Sequence, residues 1–153
     1  MEFIRVPEAK RAGLLPLLRL ADDDEKALSE YIHEGELYVI HSEGRTAGAV
    51  LMIVRNETTV ELKNIAFLPE ERGRGLGRRA VQLLKQVYSE RGFTEMIVGT
   101  ANSSIGNIVF YQKCGFRIFD IVSDYFSHLH IIENGIPIHD MIMFRCPLRQ
   151  KEQ

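Results

Sequence analysis

Eight consecutive residues carry the densest chemistry in the chain: Arg72-Gly73-Arg74-Gly75-Leu76-Gly77-Arg78-Arg79. Glycines let backbone N–H groups turn toward a ligand with no Cβ in the way. A helix opening just behind them adds unpaired donors and the positive end of its dipole, a combination that holds phosphate. Four arginines crowd the same stretch of a chain whose formal net charge is −2, which points to an anionic ligand. A dinucleotide fingerprint starting at Gly73 needs its third glycine where Arg78 stands, and no G-x-x-x-x-G-K-[ST] run exists. On these residues alone, a glycine-rich connector carrying solvated arginines stays open beside the phosphate reading.

Other reactive side chains have less support. Cys114 lacks a nearby His partner and precedes Gly115, the position of a packing residue at a helix end. His128, His130 and the pair His139-Asp140 show no clear third ligand, so no metal is expected. They are read as loop or pocket-wall residues with Tyr125 and Phe126. The acidic run Asp22-Asp23-Asp24-Glu25 reads as a helix cap that could also attract a cationic amine.

These residues need elements to position them. Phe3 to Val6 reads as a strand. A leucine-rich helix follows, either kinked at Pro16 or starting late with Pro16 in its first turn. Asp22 is the expected N-cap of a second helix running to Gly35. Three extended runs (Leu37 to Ile40, Ala47 to Val54, Thr58 to Phe67) separated by short turns predict an antiparallel meander. In the third, the apolar alternation holds at Val60 and Leu62 and then slips phase to Ile65 and Phe67. That slip predicts a β-bulge at Lys63-Asn64, a feature common beside active sites. Leu76, Ala80, Leu84 and Tyr88 predict an amphipathic helix ending at Gly92. Glu95 to Thr100 reads as a strand, Ser104 as cap of a helix over Ile105 to Cys114, and Phe116 to Val122 and Met141 to Cys146 as closing strands. Within the less regular segment from Ser123 to His139, Asn134-Gly135 signals a tight hairpin turn.

The chain resembles the GNAT superfamily of N-acetyltransferases, in its small bacterial form. Arg72 to Gly77 looks like that family's [QR]-x-x-G-x-[GA] coenzyme A motif. Phe110-Tyr111-Gln112-Lys113-Cys114-Gly115-Phe116 resembles its (L/F)-Y-x-K-x-G-F segment, with a helix and a strand between the two. The resemblance implies an α/β (α+β) fold: one domain over residues 1–153, with a central, mixed and mostly antiparallel sheet of about 6–7 strands flanked by about four helices. It implies acetyl-CoA as co-substrate. Backbone amides of Arg72, Gly73, Arg74, Gly75, Leu76 and Gly77 would hold the pyrophosphate, and the strand at Ile65, Ala66 and Phe67 would pair with the pantetheine arm. Arg78, Arg79 or Lys113 would neutralise the ribose phosphate. Ser104 stands where the family commonly has Asn, so that contact falls to Ser104 itself, Asn102 or Asn107. Tyr111 matches the tyrosine that protonates the leaving sulfur. Glu61 matches a glutamate serving as general base in some members, a role that a water chain can replace.

Composition agrees with this class. The chain has 153 residues, 45% hydrophobic and 26% charged, with no broad basic field for nucleic acid or membrane. Two widely spaced cysteines and no signal-like N-terminus predict a reduced, cytoplasmic setting. The expected partner is a small-molecule or peptide amine attacking directly in a ternary complex, and the resemblance allows a homodimer. A non-catalytic acyl-CoA sensor and a nucleotide-binding regulator are the rival classes.

Overall fold

The computed structural model describes residues 1–149. Its contacts group the chain into two compact units. One comprises Met1–Asn56 and Val60–Ala80; the other comprises Glu57–Thr59 and the described residues from Val81 onward.

In the first unit, β1 (Glu2–Arg5), β2 (Glu36–Ser42), β3 (Arg45–Val54) and β4 (Thr59–Phe67) pair antiparallel in that order, the meander expected from the short turns. Helices α1 (Leu15–Leu18) and α2 (Glu25–Tyr31) bury Leu18, Leu28, Tyr31 and Ile32 against Val6, Leu37, Ala49 and Leu51. Each fully buried side chain of this size contributes about 1.5–3 kcal/mol. Pro16 sits in the first turn of α1, behind a 3-10 segment over Glu8–Leu14, so the late start is the one adopted. The cap of α2 falls two residues later than expected. Asp24, not Asp22, accepts from the Ala27 N–H at 3.1 Å, while Asp22 accepts from Asp24 N–H and from the Tyr31 hydroxyl at 2.7 Å. The helix also ends early, at Tyr31 rather than Gly35. Buried Arg11 explains this, since its guanidinium donates to the carbonyls of Ile32, Glu34 and Gly35 at 2.9–3.1 Å and so caps the helix end.

The bulge lies where the phase slip placed it. Leu51 faces Asn64 and Met52 faces Leu62, leaving Lys63 as the extra residue of β4. As a result Val60, Leu62, Ile65 and Phe67 share one face with Met52 and Val50. Glu61, Asn64 and Ala66 share the other with Ile53, Leu51 and Ala49.

In the second unit, β5 (Glu95–Ala101), β9 (Met141–Pro147) and β6 (Arg117–Val122) pair antiparallel with β9 in the middle. Helix α4 (Ile105–Lys113) lays Tyr111 against Phe116 and Phe144. The turn at Asn134-Gly135 joins β7 (Ile132–Glu133) to β8 (Ile136–Pro137), with φ of 54° and 73° at the turn residues, as the Asn-Gly pair predicted. Helix α3 (Leu76–Glu90) buries Ala80, Leu84 and Tyr88 of the expected stripe, with Val81 beside them, and leaves Leu76 half-buried. Among the described residues no helix is long and apolar enough to cross a membrane.

Candidate functional site

The loop before α3 is an array of donors. Gly73 and Gly75 take φ of +79° and +73°, a region that side chains resist, and nothing lies within 4 Å of where a Cβ would stand at either. The first intrahelical bond runs from the Arg79 N–H to the Gly75 carbonyl at 3.2 Å. None of the six N–H groups from Gly73 to Arg78 donates to another group among the described residues. A turn with alternating positive φ followed by a helix N-terminus leaves consecutive N–H groups without a partner, an arrangement able to hold an anion.

The arginines divide into two pairs. Arg72 donates through Nε to the Phe67 carbonyl at 3.1 Å, and Arg74 is paired with Glu71 and with Glu43. Arg78 and Arg79 are exposed and form no ion pair among the described residues; Lys113 on α4 is likewise exposed and unpaired among them.

The ladder phase defines what β4 offers. Leu68 N–H bonds to the Ala47 carbonyl, so Ala66 directs its backbone groups to Ala49, and Ile65 and Phe67 direct theirs away from β3. A strand-like ligand could therefore pair with Ile65 and Phe67 but not with Ala66. Glu61 lies just before the bulge, 7% exposed, accepting from Arg55 Nε at 2.8 Å and from the same guanidinium's Nη2. Asn64 just after the bulge donates to the Leu18 carbonyl at 3.1 Å and to the Tyr31 hydroxyl at 2.8 Å, and ties α1 and α2 to the strand.

In the second unit, Tyr111 packs edge-on to Phe110 and Phe116 at 5.2 and 5.7 Å between ring centres. Its hydroxyl has no hydrogen-bond partner among the described residues, and burial, with a smaller effect from Cys114, pushes its proton affinity well above that of an ordinary phenol. The phenol is therefore protonated at neutral pH.

The three polar residues after β5 take different tasks. The Asn102 amide donates to the Pro137 carbonyl at 3.1 Å and accepts from the N–H groups of His139 and Asp140, pinning the segment from 123 to 140. Ser104 stands at the N-cap position of α4, as expected, but its hydroxyl does not cap the helix. It donates to Glu133 at 2.6 Å, and Ser103 donates to the same oxygen. Asn107 donates to the Thr100 hydroxyl at 3.3 Å, is exposed, and has its amide oxygen available. Among the described residues no three His, Cys, Asp or Glu side chains cluster as metal ligands would. Both cysteines are buried thiols with no disulfide between them.

Sequence reasoning missed Glu71 and Arg45. Glu71 is only 3% exposed and accepts from Arg45 Nε at 2.6 Å as well as from Arg74. Arg45 holds its carboxyl below the usual carboxylate range, against the opposing effect of desolvation. Nothing in the tract Pro69-Glu70-Glu71-Arg72 marks one of its two glutamates as buried.

Comparison with known proteins gives a consistent picture. Residues 10–116 match the family model described as Acetyltransferase (GNAT) family. An uncharacterized N-acetyltransferase, YvbK, from Bacillus subtilis is 34% identical over 142 residues, covering 91% of this chain and 92% of that protein. The structure of an IAA acetyltransferase from Bacillus cereus superposes with a TM-score of 0.85 at 35% identity, covering 96% of this chain and 99% of that one. A GNAT family acetyltransferase from Elizabethkingia anophelis, solved with acetyl-CoA bound, gives 0.81 at 32% identity, over 87% and 89% of the two chains.

Proposed function

The chain belongs to the GNAT acetyltransferase family, an acyltransferase fold that uses acetyl-CoA, and from that premise we propose that it transfers the acetyl group to a primary amine of a small molecule or peptide in the cytoplasm. The observation that carries the reading is the run of six N–H groups from Gly73 to Arg78, with the outward backbone of Ile65 and Phe67 ahead of it. That arrangement fits a ligand with a pyrophosphate at one end and an amide-bearing arm at the other. The N–H run receives the pyrophosphate, Ile65 and Phe67 pair with the arm, and Arg78, Arg79 or Lys113 meets the remaining phosphate. Asn107 is the better candidate of the three polar residues for a further contact, because Asn102 and Ser104 are held by the 133–140 segment.

The bound thioester supplies an activated acetyl group, and the protein's part is orientation and proton handling. Tyr111 delivers a proton to the departing sulfur, from a hydroxyl that no neighbour competes for. Glu61 takes the proton shed by the attacking nitrogen, directly or through water. Arg55 holds that carboxylate in place through its Nε and Nη2 donors. An N–H on β4 polarises the acetyl carbonyl.

Calorimetric titration with acetyl-CoA tests the reading. Binding at tens of micromolar or tighter, in the usual range for an enzyme's substrate, is expected for the native chain and lost in Gly75→Glu, which puts a carboxylate among the phosphate donors. Absence of binding, or equal binding by both proteins, removes the basis of the proposal.

A further inference from the structure

A buried carboxylate beside a phosphate site is electrostatically adverse, yet Glu71 immediately precedes the donor loop. Its contacts explain why it is there. One oxygen accepts from Arg45 Nε at 2.6 Å, and the other accepts from Arg74 and, at 3.4 Å, from Arg45 Nη2. Glu43 closes the network, 3.6 Å from Arg45 and 3.5 Å from Arg74. Glu43 lies in the tight turn between β2 and β3 and Arg45 opens β3 just after it, whereas Arg74 is the middle residue between the two positive-φ glycines. Two glutamates and two arginines thus form a neutral clamp that ties a hairpin turn to the centre of the loop.

We propose that Glu71 and Arg45 are positioning residues for the phosphate-binding loop. They hold Arg74, and with it the N–H groups of residues 73–78, in the binding conformation, and they take Arg74 out of direct phosphate contact. The proposal rests on the acetyl-CoA reading above and deepens it. It assigns the phosphate's stabilisation to backbone N–H groups and to Arg78 and Arg79, with the charge of Arg74 already matched. It also predicts a sign that simple electrostatics reverses. Neutralising Glu71 makes the loop more positive, so charge alone would tighten anion binding. Loss of positioning weakens it.

The test compares Glu71→Gln and Arg45→Ala with the native protein, using acetyl-CoA and S-acetylpantetheine, which lacks the pyrophosphate and adenosine, as alternative donors. The expected result is a roughly tenfold fall in the ratio of kcat/KM for acetyl-CoA to that for S-acetylpantetheine in each variant. It should be expressed in KM for acetyl-CoA, and the double variant should be no worse than the single ones. A general loss of structure would lower both donors together and leave the ratio unchanged, which overturns the proposal, as does tighter acetyl-CoA binding in Glu71→Gln. The Arg45 side chain is half-exposed at the start of β3, so its variant keeps the test intact if Glu71→Gln folds poorly. If the native protein itself uses neither donor, the enzymatic reading fails first, and the two failures are distinct.

Discussion

Replacing Tyr111 by Phe removes one oxygen from a ring that is 6% exposed and stacked among Phe110, Phe116 and Phe144. The hydroxyl has no hydrogen-bond partner among the described residues, so no bond is lost with it. A polar group held in apolar surroundings without a partner costs about 1–3 kcal/mol by mutational measures. Among the described residues, Tyr111 Oη is not one of the fully enclosed side-chain atoms that lack a hydrogen bond, so a little water still reaches it. The lower end of the range applies, and Tyr111→Phe should be more stable than the native chain by about 1 kcal/mol, or about 2–4 °C in Tm. The same change removes the proposed acid, and a positioned proton donor contributes about 10²–10⁴ in rate. The signature is therefore opposite in sign on two axes: stability rises while kcat falls, with acetyl-CoA affinity unchanged. Urea melts, calorimetry and steady-state thiol release read the three quantities. A destabilised variant would mean that the hydroxyl has a structural partner. An unaltered kcat would refute the acid role.

Four further outcomes follow from the same geometry. Gly75→Ala should lose about 1–2 kcal/mol in left-handed backbone strain, summed over folding and acetyl-CoA binding, whereas Gly135→Ala, at the same φ of +73°, should lose it in folding alone; urea melts and calorimetry on both check this. Arg11→Met leaves three carbonyls at the end of α2 without their donor and should lower unfolding free energy by about 3 kcal/mol in urea. Glu61→Gln should lower kcat by about 10²–10⁴ with acetyl-CoA affinity unchanged, and an unaltered kcat rules out the base assignment. Because Arg45 lowers the native pKa of Glu71, the stabilisation it gives is complete above the usual carboxylate pKa of about 4.3 and fades as pH falls further. Urea melts of the native chain and Glu71→Gln should therefore converge only in strong acid.

Local patterns carried much of this fold. The phase slip between Leu62 and Ile65 located the bulge because a period-2 strand can keep Val60, Leu62, Ile65 and Phe67 on one face only by inserting Lys63. Asn134-Gly135 fixed a turn because both residues tolerate positive φ. The glycine loop was legible for the same reason. What stayed hidden depends on partners distant in the chain. Arg11 lies 21–24 residues from the carbonyls it caps, and Glu71 lies 26 from Arg45, so both look like members of solvated charge runs. Ser104 reads as a cap until Glu133, 29 residues on, draws its hydroxyl away. Asp22 sits at a plausible cap position, but Tyr31 and the Asp24 N–H claim its carboxylate.

The central claim is that the protein moves an acetyl group from coenzyme A to nitrogen. Incubation with acetyl-CoA and a panel of primary amines, with mass spectrometry of the amines and titration of the released thiol in the same samples, tests it most directly. At least one amine should be acetylated, in equal amount to the free coenzyme A released, and strongly less so in Tyr111→Phe. Tight acetyl-CoA binding with neither product above the protein-free rate across the panel would contradict it and identify an acyl-CoA sensor instead.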